Sequence, residues 1–152
     1  GVLMMGQLEP AFAMTWLDMP SALNTYMHAL PSDALGQQQI SQAWQWQAGA
    51  VRDFVADLDA VPAEDGTLLD YTLVVWISPY GGPATAYHTS SGLPVVLIGG
   101  AALHGMESGV VMADGYDQAD LARSVAARAG YTLDDFGDPS LAAELIPGIA
   151  PR

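Results

Sequence analysis

Apolar residues recur at three- and four-residue spacing across residues 39–61, QISQAWQWQAGAVRDFVADLDAV. Ile40, Ala43, Trp44, Ala48, Val51, Phe54, Val55 and Leu58 share a stripe, which predicts an amphipathic helix. Ser41 is its candidate N-cap, Gly49 is tolerated inside it at about 1 kcal/mol relative to Ala, and Pro62 ends it. A second helix is predicted over residues 117–129, DQADLARSVAARA. Asp117 is placed to cap it, and Asp120 falls in the first turn, where the helix dipole favours a carboxylate. Leu121, Val125 and Ala126 are expected to face the core, and Gly130 is the C′ stop. Between the helices lie two unbroken apolar runs, Thr72–Ile77 and Val95–Ile98. Such runs read as strands buried on both faces. Pro79 and Pro83 cannot sit inside a sheet, so the first strand ends at Ser78, and the second ends at Gly99-Gly100. Residues 109–113, GVVMA, predict a short third strand or hairpin arm.

The remaining segments are less regular. Residues 2–18 carry weak helical spacing (Leu3, Met4, Leu8, Phe12, Trp16) interrupted by Pro10, predicting a strand or helical turn and then a helix from about Glu9. Met4, Met5, Met14 and Met19 read as adaptable core filler rather than a metal box. Residues 19–38 hold two Pro, an Asn, two Ser and a Gly, a loop with at most one helical turn. Glu64-Asp65-Gly66 signals a turn. Asp134, Asp135 and Asp138 do not meet the calcium-loop frame and read as turn formers. The expected fold is α/β: a small, mostly parallel sheet of three or four strands flanked by helices. The expected organisation is one domain or domain fragment over residues 1–152, with its core at 39–130.

Charge narrows the function classes. The chain has 17 acidic residues against four basic ones, all Arg, for a formal charge of −13. Phosphate backbones are bound by clusters of Lys and Arg, so no nucleic-acid partner is expected, nor electrostatic docking to anionic membranes. No apolar run approaches the length of about 18 residues that marks a membrane span. With 51% hydrophobic residues, a packed core is within reach. The absence of cysteine excludes disulfides, thiolate chemistry and Cys-ligated zinc, and leaves the redox compartment open. The opening GVLMMGQLEP lacks the basic region of a signal peptide and runs directly into apolar sequence, as expected of an internal cut, hence of a missing N-terminal half or partner chain.

Candidate chemistry concentrates in the Ser78–Leu93 loop, at the carboxyl end of the first strand, where ligand sites of open α/β sheets lie. A loop of this length inside a compact domain is usually functional or disordered. Ser78, Tyr80, Thr85 and Tyr87 are its candidate binding residues. His28, with Asp33 five residues on, is either a loop or capping residue or a metal ligand. The Gly99-Gly100 pair reads as a tight turn in preference to a phosphate cradle, because no G-x-G-x-x-G or P-loop pattern accompanies it. Asp70 reads as a turn or cap residue and His104 as a loop residue. Ser90 and Ser91 lack a nucleophile elbow.

GTLLDYTLVVWIS over residues 66–78, followed by a loop and LPVVLIGG over 93–100, resembles the alkaline phosphatase/sulfatase superfamily. It is closest to the uncharacterised secreted bacterial sulfatase-like families. The helix Trp44–Leu58, His88, the helix Leu121–Ala129 and Phe136-Gly137-Asp138 fall in the matching order, so the resemblance spans roughly residues 26–148. It implies the C-terminal part of a larger fold whose hydroxyl nucleophile lies upstream, and a secreted or periplasmic location. The superfamily hydrolyses phosphate or sulfate esters with divalent metals held by Asp and His. The implied ligand is therefore a small ester or a sulfated or phosphorylated molecule, and the implied cofactor is a divalent metal, zinc or calcium. One ligand set of the superfamily reads S-D-H-G after the strand, or S-E-x-G in the sulfatase-like families. Here it reads Ser78-Pro79-Tyr80-Gly81, which offers no such carboxylate or imidazole. His88 and His28 match two family positions, and with Asp33 they make a candidate three-ligand set. Set against it stands a scaffold that keeps the fold without the metals: a non-catalytic binding or structural module.

Overall fold

A computed structural model describes residues 12–22, 25–26, 28, 33–78, 91–103, 109–111, 113–134, 136–138 and 144–151. In chain order the elements are a 3-10 turn at Thr15–Leu17, helix α1 at Ala34–Asp59, strands β1 (Pro62–Ala63), β2 (Gly66–Thr67), β3 (Leu73–Ile77) and β4 (Val95–Gly99), and helix α2 at Gln118–Arg128. The class is mixed α/β. The chain divides into two compact units, residues 1–54 with 76–96 and residues 55–75 with 97–152.

The helix predicted over 39–61 is present as α1 but begins earlier, and Ser41 is not its cap. Asp33 takes that place. Its Oδ1 accepts the Gly36 N–H at 3.0 Å, and its carbonyl accepts the first helical bond from Gln37 at 2.9 Å. Asp33 is followed by Ala34-Leu35-Gly36 and three Gln, too few apolar positions to extend the stripe, which hid the true start. Ile40, Ala43 and Val51 of the predicted stripe are buried, whereas Trp44 and Phe54 are exposed. In the first unit, Ile40 and Ala43 pack with Met14, Met19 and Tyr26, with Leu17 against them. Met14 and Met19 thus fill core, as their adaptable side chains suit.

The helix expected from about Glu9 is absent over residues 12–22. In its place the chain reverses. Leu17 and Asp18 donate to the Met14 and Thr15 carbonyls, Asp18 adopts the left-handed conformation with φ 55, and Ala13 pairs with Ala22 in an antiparallel bridge. The predicted strand at 109–113 is absent among its described residues, where Val110 is 90% exposed.

The mostly parallel sheet of three or four strands is not found among the described residues; the strands form two separate pairs. β1 and β2 pair antiparallel around Glu64-Asp65, Pro62 opposite Thr67 and Ala63 opposite Gly66. β3 pairs with β4. At one end Ser78 N–H donates to the Pro94 carbonyl, and at the other Gly100 N–H donates to the Leu69 carbonyl. Rising numbers on one strand meet falling numbers on the other, so this pairing is antiparallel. An apolar run suits either strand direction, and the main-chain pairing decides it here.

In the second unit α2 occupies nearly its predicted span. Asp117 Oδ1 accepts the Ala119 and Asp120 N–H groups at 2.7 and 3.1 Å, and Asp120 Oδ2 accepts the Asp117 N–H at 2.8 Å, a reciprocal capping box. At the other end Gly130, with φ 82, donates to the Ala127 carbonyl and Tyr131 to the Ala126 carbonyl. Those two bonds define a Schellman stop. The buried face is not the predicted one. Ala119, Asp120, Ser124 and Arg128 are buried, while Leu121, Val125 and Ala126 are half-buried.

Candidate functional site

The metal set suggested by sequence comes only partly into view. His28 is exposed. Asp33 is exposed too, but its Oδ1 is engaged by the Gly36 N–H as the cap of α1. His88 lies outside the described residues, as do Tyr80, Thr85 and Tyr87 of the candidate binding loop and His104. Of that loop's candidates Ser78 alone is described. It is half-buried and its backbone N–H reaches the Pro94 carbonyl at 3.5 Å, closing the end of the β3–β4 pair. Among the described residues no three His, Asp or Glu side chains stand close enough to hold a metal ion. Ser78-Pro79-Tyr80-Gly81 after β3 offers no carboxylate or imidazole, and Asp33 Oδ1 serves the N-terminus of α1.

The glycine pair at the end of β4 makes a structural turn. Gly99 has φ 85 and Gly100 φ 69. A Cβ on Gly99 would collide with the Thr72 carbonyl and come within 2.8 Å of the Leu69 carbonyl. The nearby donors are spent on protein: Gly100 N–H on Leu69 at 3.0 Å and Ala102 N–H on the Asp70 carbonyl at 2.9 Å. Asp70 is a turn residue, as its position before β3 suggests. Its Oδ2 accepts from the Thr67 N–H at 2.8 Å and from the Thr67 hydroxyl at 3.2 Å, and that hydroxyl also reaches Asp59 at 3.1 Å.

The second unit carries a surface groove. A half-open groove of about 240 Å³ lies at the C-terminal end of α2, lined by Arg123, Ala127, Gly130, Tyr131, Thr132, Leu133 and Leu145. Arg123 Nε donates to the Leu133 carbonyl at 2.9 Å, which fixes the guanidinium along one wall. The groove combines a cation, a hydroxyl, a phenol and aliphatic surface. Beside it runs the segment 144–151, which supplies Leu145 and is tied down by buried polar side chains of α2. Asp120 Oδ1 accepts the Glu144 N–H, Ser124 Oγ accepts the Ile146 N–H at 2.8 Å, and Arg128 donates to the Ile149 and Ala150 carbonyls at 2.7 and 3.1 Å. Sequence reasoning passed over this face because Asp, Ser and Arg are usually exposed. The signal was their spacing: positions 120, 124 and 128 form one helical stripe.

Compared with family models, curated proteins and solved structures, the chain finds no match.

Among the described residues no helix is long and apolar enough to cross a membrane.

Proposed function

We propose that the chain is a sulfatase/alkaline-phosphatase-like domain, the C-terminal part of a secreted or periplasmic hydrolase-like protein with a larger alkaline-phosphatase-like fold, and that it has no ester-hydrolase activity by itself. The order of helix, strand, His, strand, helix supports the family reading. The observation that carries the inactive reading is the strand exit: β3 ends at Ile77 and is followed by Ser-Pro-Tyr-Gly, where a working site needs an Asp-His pair or its equivalent. Proline has no donor atom, and a tyrosine hydroxyl, with a pKa near 10, is a weak ligand for hard divalent ions near neutral pH.

The engagement of Asp33 as a helix cap favours a second reading, a non-catalytic binding or structural module on the same scaffold. That engagement occupies Oδ1 of the one carboxylate in the candidate set, the group that would complete three protein ligands with the two imidazoles. Purified chain is to be assayed for bound metal by elemental analysis and for turnover of an aryl sulfate and an aryl phosphate with zinc or calcium added. The expected result is substoichiometric metal and no turnover above buffer. Metal-dependent turnover abolished by His88→Ala would overturn the inactive reading.

A further inference from the structure

The first part of α1 has a surface unlike the rest of the chain. From Ala34 to Val51 there is no charged side chain, in a chain with 17 acidic residues, and glutamine supplies the polar positions. Ile40, Ala43 and Val51 are buried and mark the core side. Gln38, Gln42 and Gln45 follow one another at four and three residues on another side, and all three are exposed. Trp46 stands four residues after Gln42, off the apolar stripe, and is 42% exposed. Its ring meets that of Trp16, 56% exposed, with centroids 5.4 Å apart and planes tilted by 55°. The pair is held from below. Met14 and Met19 flank the turn that carries Trp16, and they pack in one core with Ala43, three residues before Trp46. Gly49, three residues after Trp46, has nothing within 4 Å of its would-be Cβ, so the helix surface is open beside the indole. All of these residues lie in the first unit.

Core packing does not account for Trp46, since its position is off the buried side, and two half-exposed indoles leave a large apolar area in water. The chemistry around them selects what covers it. Indole faces suit apolar C–H surface. Primary amides both donate and accept, as hydroxyl groups do. A charged ligand finds no counter-charge on this stretch, and a second copy of the chain would bring one net charge of −13 against another. We propose that Trp16, Trp46 and the glutamine side of α1 form a binding site for a neutral oligosaccharide, its rings laid on the indoles and its hydroxyls on the amides. The inference gives a ligand to the binding-module reading and does not depend on the hydrolase-like one. It is tested by binding alone, so its failure leaves the ester-turnover result untouched.

The test titrates the full chain calorimetrically with cellohexaose, maltohexaose and mannohexaose. At least one should bind saturably, with a Kd on the order of a millimolar or tighter. Trp46→Ala should weaken that sugar about tenfold. Gly49→Gln keeps both indoles and removes a helix-weakening glycine; it should weaken the sugar severalfold by filling the open place beside Trp46. Trp44→Ala removes an exposed indole two residues away, on another side of α1, and should bind as the unmodified chain does. Dextran sulfate should bind no tighter than dextran. Saturable binding of none of the three sugars overturns the proposal, as does an equal loss in Trp44→Ala or tighter binding of the sulfated polymer. Sedimentation that shows a dimer lost in Trp46→Ala assigns the surface to a second copy and overturns it too. If circular dichroism shows Trp46→Ala unfolded, Gly49→Gln decides, and unchanged binding there sinks the idea.

Discussion

Two glycines separate conformational need from mere tolerance. Gly99 has φ 85, and a Cβ there would run into the Thr72 and Leu69 carbonyls. Backbone cannot yield as a side-chain tip can, so Gly99→Ala should cost about 2–3 kcal/mol in denaturant unfolding. Gly49 sits inside α1 with nothing within 4 Å of its would-be Cβ. Gly49→Ala should therefore stabilise by about 0.5–1 kcal/mol in the same titration. Asp33 gives the clearest discrimination between structure and chemistry at a single position. As a cap, it should lose about 1 kcal/mol on mutation to Ala and almost nothing on mutation to Asn, which caps equally well. As a metal ligand it would suffer from both, so zinc titration of Asp33→Asn beside its melting curve reads the two roles apart.

At the scale of the element, α2 shows where sequence signals hold and where they mislead. Its ends are specified locally, by the Asp117–Asp120 capping box and by Gly130, and both were legible from residue type and spacing. Its buried face was not. Leu121 and Val125 look like core residues, yet the stripe of Asp120, Ser124 and Arg128 is the more buried. Burial of polar groups is tolerated because each finds a partner, and among the described residues no buried side-chain polar atom lacks one. The consequence is asymmetric. Arg128→Met keeps much of the volume but strands the Ile149 and Ala150 carbonyls, and should cost about 2–3 kcal/mol. The Arg52–Asp53 pair, at 2.7 Å but largely in water, should matter by no more than about 0.5 kcal/mol when Arg52 becomes Ala. Thermal melts of the two variants side by side check the contrast.

Over the whole molecule the charge of −13 sets a self-repulsion that salt relieves. Raising sodium chloride from about 10 mM to about 0.5 M should raise the melting temperature by about 2–5 °C, because the Debye length falls from about 30 Å to a few Å. A flat or falling response would mean that local carboxylate contacts, such as Asp70 on Thr67 and Asp120 on Glu144, outweigh the net repulsion. By itself the sequence determined what is decided within a few residues: both helices, the strand core of β3 and β4, the turn at Glu64-Asp65, the cap at Asp117, the stop at Gly130, and the lack of a carboxylate-imidazole pair after β3. These follow from side-chain sterics, period and hydrogen bonding between near neighbours. The tertiary structure alone decided that β3 and β4 run antiparallel and that α2 buries its polar stripe under residues 144–151. An apolar run is equally suited to either strand direction, and a polar stripe becomes buriable only when distant main-chain groups arrive to pair with it.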